Sequence, residues 1–316
     1  NGSPIVAAGC VFITSAEDVE GRRRSLYCLD RQRGTVKWIR TVEIGSTLPT
    51  HQTNPYGGST PVSDGKRVVV WHASAGLYCY DIAGKPLWSR DLGEFRHMWG
   101  YGTSPIIYQD RIILFSGPGK RIFLGAYRLS DGKTLWETDE QQEGDGEHND
   151  AGNYMGSWST PVLTEVQSKT QVIVMLPTRI GAFSPDNGDL IWSCDGLRHE
   201  RGDLAYSSPV IAGDLCFVTG GYRGPSMAVR LGGRGDVTRT GRLWHVENNP
   251  QNIGSGVHVS GMVYRPNAEK RNSLQCIEIA TGKIRWSAPG AGHWGSVVMA
   301  GKLLYATDQQ GNTVVF

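Results

Sequence analysis

The chain has 316 residues, with 32 basic and 30 acidic side chains and a formal net charge of +2. So even a balance excludes a general electrostatic attraction to nucleic acid or to an anionic membrane. No run of 18 apolar residues and no sustained 3.6-residue apolar period is present, so no transmembrane helix is predicted, and 42 glycines between short apolar runs point to an all-β chain.

In chain order, Asn1, Gly2, Ser3 and Pro4 lead directly into the apolar Ile5 and Val6. This reads as the start of a strand, with no signal peptide, and with an upstream segment expected to have been lost. The first clear unit runs from Ser25 through Leu26, Tyr27, Cys28, Leu29 and Asp30 to Gly34 and Trp38. It recurs at Leu77 to Asp81, Gly84 and Trp88, then at Asp131, Gly132 and Trp136. Further copies lie at Asp186, Gly188 and Trp192, and at Cys276, Gly282 and Trp286. Trp244 belongs to the same series, but a glycine-rich stretch from Gly232 to Thr240 replaces its short turn, which predicts an enlarged hairpin loop. Intervals of 42 to 56 residues between these tryptophans match one four-stranded blade per repeat.

A second mark opens each repeat: Ser3-Pro4, Ser59 with Pro61, Ser104-Pro105, Ser159 with Pro161, Ser208-Pro209, and, without proline, Ser255 and Ser296. Seven inner strands are therefore predicted. The aspartate and glycine before each tryptophan fit a tight hairpin in which Asp bonds back to the turn backbone. The tryptophan is placed on the outer strand, filling the gap between neighbouring blades. Six cysteines, at 10, 28, 79, 194, 216 and 276, include no Cys-x-x-Cys motif and read as small buried hydrophobes. The predicted fold is a single-domain, seven-bladed β-propeller over 1–316, built of four-stranded antiparallel blades. Only six Trp-bearing outer strands accompany the seven starts, so the closing strand of the last blade is expected to be missing from the N-terminus.

These repeats resemble the PQQ-like (quinoprotein-type) repeat family, whose motif ends in Asp-x-x-Thr-Gly-x-x-x-Trp. Within it the chain looks most like the BamB-like secreted propellers. That resemblance implies a periplasmic or secreted location and a protein, peptide or glycan ligand. Other members are quinone-dependent dehydrogenases, which imply PQQ and a metal ion such as Ca²⁺ at the channel mouth. Those enzymes carry an adjacent cysteine pair, which this chain lacks.

In a propeller, the loops leading into the inner strands share one face with the loops between the second and third strands. His51, His97, His148, His199 and His293 fall in the first set, with Trp99, Trp158 and Trp294 and with Tyr56, Tyr101 and Tyr206. Arg179 and Arg223, together with Lys120, Arg121 and Arg265, fall in the second set and suit a carboxylate or sulfate. Aromatic and histidine side chains thus gather on one face, where they either bind a ligand or plug the channel. The segment 137–150 reads as an acidic loop, and Asp145, Glu147 and Asp150 are its candidate metal ligands, at a spacing unlike an EF-hand. The basic runs Arg22-Arg23-Arg24 and Lys270-Arg271 read as solvated loop tips, and Arg234-Gly235-Asp236 as a chance tripeptide. No Gly-x-Ser-x-Gly, His-Glu-x-x-His or P-loop motif is present. The expectation is a non-catalytic binding or scaffold propeller. Its alternative is a quinoprotein-like oxidoreductase, and a polysaccharide hydrolase or lyase would need carboxylates or a His/Tyr pair to meet across blades.

Overall fold

The computed structural model describes residues 2–141, 143–251, 253–267, 273–289, 294–308 and 310–316. His293, Lys270 and Arg271 lie outside the described residues. Those described form seven antiparallel sheets in chain order, and the fold is a β-propeller. The first sheet is a meander of Ile5–Ala7, Cys10–Ala16, Arg23–Asp30 and Val36–Glu43. Four-stranded antiparallel meanders follow within 62–90, 106–140, 162–195, 210–246 and 257–289. The seventh sheet has three described strands: Val297–Ala300, Leu303–Thr307 and Thr313–Val315. By packing, the chain divides into two compact units. One is Asn1–Glu147 with Pro185–Gly188, and the other is His148–Ser184 with Asp189–Phe316.

Middle strands such as Arg111–Phe115, Ile122–Arg128 and Leu215–Thr219 are buried on both faces. Their apolar side chains form clusters between neighbouring sheets: Phe12, Leu26 and Cys28 meet Val68, Val70 and Tyr80, for example. Each such side chain contributes about 1.5–3 kcal/mol by leaving water. All six cysteines are buried and form no disulfide, and burial pushes the thiols of Cys28 and Cys79 up to about 12.

The six repeat tryptophans all lie on the outermost antiparallel strands. Four of them make the same contact with the hairpin of the next sheet: the indole Nε1 donates to a turn carbonyl. Trp38 reaches Ile82 at 3.0 Å, Trp88 reaches Leu129 at 3.1 Å, Trp136 reaches Pro185 at 3.2 Å and Trp244 reaches Ile279 at 2.8 Å. The repeat glycine of that hairpin lies flat against the same ring. A Cβ on Gly84, Gly132, Gly188 or Gly282 would come within 2.5–2.8 Å of an indole carbon. The hairpin aspartates behave as predicted, with Asp30 Oδ1 accepting from the amides of Gln32 and Arg33 at 3.0 and 2.9 Å.

At the inner ends, the repeat serines and threonines link successive sheets. Ser3 N donates to Thr60 Oγ1 and Thr60 N to Ser104 Oγ; in the other unit Ser208 N donates to Ser255 Oγ and Ser255 N to Ser296 Oγ, all at 2.9–3.0 Å. The hydroxyl is therefore the requirement at these positions, which is why Ser255 and Ser296 serve without proline.

The fourth sheet departs from the rule. Trp192 is fully buried and donates to Gln171 Oε1 at 3.0 Å. The enlarged hairpin of the fifth sheet replaces the usual turn beside it. Gly235–Asp236 adds as a short parallel strand to Leu190–Asp195, anchored by Asp195 N on Thr238 Oγ1 at 2.9 Å and by buried Val237. An otherwise open sheet edge is thereby covered. Arg234, Gly235 and Asp236 remain exposed on it.

The basic run at 22–24 is not a solvated tip throughout. Arg24 begins an inward-facing register on the third strand and is 1% exposed. Its Nε donates to Gly21 O at 2.9 Å, Nη1 donates to His72 O, and the guanidinium lies 5.2 and 5.4 Å from the rings of Tyr56 and Tyr101. Two carbonyls and two π faces thus replace its hydration. His72 is also fully buried, with neither ring nitrogen hydrogen-bonded, and burial together with the Arg24 charge pushes it down to about 3.

Two outcomes follow from this packing. Gly132→Ala combines a left-handed φ of +72° with the clash on Trp88, whereas Gly34→Ala has a similar φ of +68° and nothing within 4 Å. The backbone cost alone is about 1–2 kcal/mol. Urea titration is expected to show at least that loss for both variants and a clearly larger one for Gly132→Ala; equal losses would refute the interlock. For His72, the unfolded chain takes up a proton near pH 6.5 while the folded chain does not until about pH 3. Stability should therefore fall as pH drops through that window, by about 1.4 kcal/mol per pH unit from this group. His72→Phe is expected to flatten the slope between pH 6.5 and 4, measured by urea titration at each pH.

Candidate functional site

The second unit gathers four aromatic side chains into a row. Its foundation is a parallel pairing of two loop segments, Met155–Ser157 with Asp203–Ala205, in which Ser157 faces Ala205. Trp158 and Tyr206 each follow by one residue, and Trp158 N donates to Ala205 O at 2.7 Å. Adjacent strands lie about 4.8 Å apart, so two rings at matched positions stack: their centroids are 4.7 Å apart at 15°. Tyr222 then meets Tyr206 edge-on at 5.6 Å, and Trp294 meets Tyr222 edge-on at 6.4 Å. Trp158 is buried at the base, Tyr206 and Trp294 are half-buried, and Tyr222 is 36% exposed. Burial raises the phenols of Tyr206 and Tyr222 above their ordinary range, so both rings stay neutral at physiological pH.

Tyr222 and Arg223 form the tip of the turn between Leu215–Thr219 and Ser226–Arg230. Both have left-handed backbones, at φ +49° and +67°. Flanking glycines occupy 220, 221 and 224, yet the two tip positions carry large side chains in a conformation that costs each of them about 1–2 kcal/mol. The tip is held from beneath. Arg223 N donates to Gln251 O at 3.1 Å and Gly221 N to Leu204 O at 2.7 Å. Buried Asn249 directs its amide nitrogen to the carbonyls of Gly220, Gly224 and Pro225. Asn249 Oδ1 accepts from Gln251 N at 2.7 Å and from Arg265 Nη1 at 3.4 Å. Arg265 is itself gripped by Gln275 Oε1 at 3.0 and 2.7 Å and is 3% exposed. It is a support and not the open anion-binding residue expected from its position. Arg223 is exposed, and its guanidinium meets no carboxylate among the described residues.

A second polar cluster borders the row. Buried Asp203 accepts from His199 N at 3.1 Å, Asn149 Nδ2 at 2.8 Å and Arg198 Nη1 at 3.4 Å. His199 is thereby fixed, with Nε2 3.2 Å from Asn248 Oδ1. His148 packs on Tyr154 with centroids 5.0 Å apart, and Arg179 is half-buried at the start of Arg179–Phe183.

The candidates of the first unit are arranged differently. Tyr56, Tyr101 and His97 are all buried. Tyr101 Oη donates to Tyr56 O at 2.5 Å, and His97 Nδ1 accepts from Trp99 N at 3.0 Å. Tyr56 and Tyr101 flank Arg24, and His97 orders the turn that carries Trp99. Half-buried Trp99 has its carbonyl held by Asn54 Nδ2 at 2.7 Å, while His51 is exposed and bonds Thr53.

The acidic segment is partly a strand. Glu137, Asp139 and Glu140 lie in Thr134–Glu140, where Arg121 pairs with Glu137 at 2.8 Å and with Asp139 at 3.0 Å. Asp145 caps its own turn through Glu147 N at 2.8 Å, and Asp150 is exposed. Ca²⁺ requires six or more converging oxygens. Among the described residues no three His, Cys, Asp or Glu side chains gather as a metal site, and the cysteines are scattered and buried. The described side chains thus supply neither a converging metal set nor the adjacent cysteine pair that the resemblance to the quinone-dependent enzymes would imply.

Sequence reasoning named Trp158, Tyr206 and Trp294 but not Tyr222, Asn249, Asp203 or Arg24. A usable signal existed. Relative to the repeat serine, Trp158, Tyr206 and Trp294 occupy one repeat position, where Ile253 stands in the sixth repeat and Gly58 and Gly102 in the second and third. Tyr222 stands in the row between Tyr206 and Trp294.

A family model described as outer membrane protein assembly factor BamB matches residues 41–288. The chain belongs to this family. No curated protein matches it in sequence. Among solved structures it is similar to BamB from Moraxella catarrhalis, at 14% identity and TM-score 0.70 over 99% of this chain and 84% of that one. It is also similar to the computationally designed Ika8 protein, at 11% identity and TM-score 0.56 over 99% and 94%. A europium-containing methanol dehydrogenase follows at 10% identity and TM-score 0.49 over 99% and 81%. At these identities the likeness shows the fold alone.

Removing the support should disturb the tip without unfolding the chain. Asn249→Ala leaves three turn carbonyls without their donor, at about 1–3 kcal/mol. Hydrogen exchange is expected to show lost protection at the amides of Gly221 and Arg223, with the near-UV signal of the aromatic row reduced. Unchanged exchange there would refute the assignment of Asn249 as the support.

Proposed function

We propose that this BamB-family propeller is a non-catalytic binding or scaffold module that acts outside the cytoplasm as one domain. In this reading it holds a protein, peptide or glycan ligand against the loops of its second unit. The observation that carries the reading is the row of Trp158, Tyr206, Tyr222 and Trp294, with Tyr222 and Arg223 held in a strained, supported presentation. Tryptophan, tyrosine and arginine are the residues that dominate binding energies at interfaces. Strain at a rigidly supported tip is a recurring property of binding sites. Family membership supports the same reading. The neighbouring polar groups are engaged in holding loops, which supports a role in recognition over one in catalysis.

The test is a comparison of wild type with Tyr222→Ala and Tyr206→Ala, each immobilised and exposed to envelope extract and to a glycan array. Binding partners retained by wild type are expected to be lost or weakened at least 10-fold with the row variants. Capture that is indifferent to both substitutions would place function elsewhere. Turnover of an alcohol or sugar by the purified chain with added PQQ and Ca²⁺ would count decisively for the oxidoreductase alternative.

A further inference from the structure

Resting on that reading of the site, we infer that the row takes an acidic polypeptide segment: a proline or aromatic side chain packs on Tyr222 and Trp294 while a neighbouring carboxylate pairs with Arg223. The choice among ligand classes comes from which polar groups are left open. A sugar presents a hydroxyl at almost every carbon and needs several amides or carboxylates around the aromatic platform to pair them. Here the amides and the carboxylate that underlie the row are turned inward. Asn249 and Gln251 are 2% and 1% exposed, and the amide nitrogen of Asn249 is engaged by three turn carbonyls. Asp203 is 1% exposed and holds His199, Asn149 and Arg198. Among the described residues, the tip itself, Tyr222 and Arg223, offers aromatic surface and one guanidinium.

A strand of nucleic acid would also stack on such rings, but it brings a phosphate at every nucleotide. The adjoining loops carry exposed Glu200 and Glu247 as well as Arg201 and Arg223, a mixture that suits a single carboxylate and repels a run of phosphates. Arg223 is an appropriate partner for one carboxylate, since a guanidinium can bind both oxygens at once. The supported left-handed tip fixes the aromatic face and the charge side by side before a ligand arrives, so little ordering is needed on binding.

The experiment selects a phage-displayed random dodecapeptide library on the full chain, then titrates the enriched peptides by calorimetry. Their partners would be wild type, Tyr222→Ala and Arg223→Gln; both positions are exposed, and equal melting temperatures would verify folding. The inference expects enriched peptides with Asp or Glu beside Trp, Tyr, Phe or Pro. It also expects roughly 10-fold weaker binding both on Arg223→Gln and on replacing the peptide carboxylate by its amide, with no further loss when both changes are made. Enriched peptides without acids, or affinities unmoved by Arg223→Gln, overturn the inference. Glycan-array binding that Tyr222→Ala abolishes, without peptide enrichment, also overturns it while leaving the binding-site reading in place. If neither peptides nor glycans bind in a manner sensitive to Tyr222→Ala, both fall.

Discussion

Four of the six repeat tryptophans are held by the hairpin of the following sheet, and the architecture depends on this contact. The indole supplies a wide apolar surface and one N–H donor, and the hairpin supplies a carbonyl for that donor and a glycine against which the ring can lie. A sheet with its outer strand so fixed cannot slide against its neighbour without losing both a hydrogen bond and the packing of a large ring. At the inner ends the serine and threonine hydroxyls do the same work at shorter range. The sheets are thus tied at both their inner and outer ends, and apolar side chains fill the space between. The loops then carry contacts of their own, around Arg24 in the first unit and beneath Tyr222 and Arg223 in the second.

Where the rule is broken, the compensation is local. Trp192 lacks the usual hairpin carbonyl and turns its N–H onto Gln171. The enlarged loop of the next sheet lays Gly235–Asp236 along the exposed edge and buries Val237 against the same core. The insertion therefore does the covering that a tight turn performs elsewhere. This also accounts for the exposed Arg234-Gly235-Asp236 without any partner: its middle and last residues form the added strand.

The repeat was legible because it is local. A hairpin aspartate, a glycine at fixed distance from a tryptophan and a serine before an inner strand are each dictated by a few neighbouring residues, so one chain displays them without any knowledge of contacts. The buried arginines were not legible. Arg24 and Arg265 sit at strand positions that periodicity alone would give to solvent or to a ligand, and only the carbonyls, rings and amides brought from distant segments make their burial affordable. Acidic residues 137–140 were misplaced for a related reason: charge density suggested a loop, while Arg121 on the paired strand lets two of those carboxylates face outward from a regular ladder. Tyr222 went unremarked because its role comes from a turn of another strand pair reaching into a row set by the inner-strand loops.

That row adds an aromatic surface to the repeat without changing its geometry. The position two residues before the serine or threonine that links the inner ends is glycine in the second and third repeats, and large and aromatic in the fourth, fifth and seventh. Nothing in the interlock requires an aromatic residue there, since the first unit does without one. The parallel pairing of Met155–Ser157 with Asp203–Ala205 places Trp158 and Tyr206 at stacking distance, and Tyr222 extends the surface from a turn whose conformation glycine would adopt at no cost. A turn under pressure only to close would carry glycine at both tip positions. Tyrosine and arginine stand there instead, with Asn249, Gln251, Gln275 and Arg265 beneath them as support, so the strain of the tip is met by the hydrogen bonds below it.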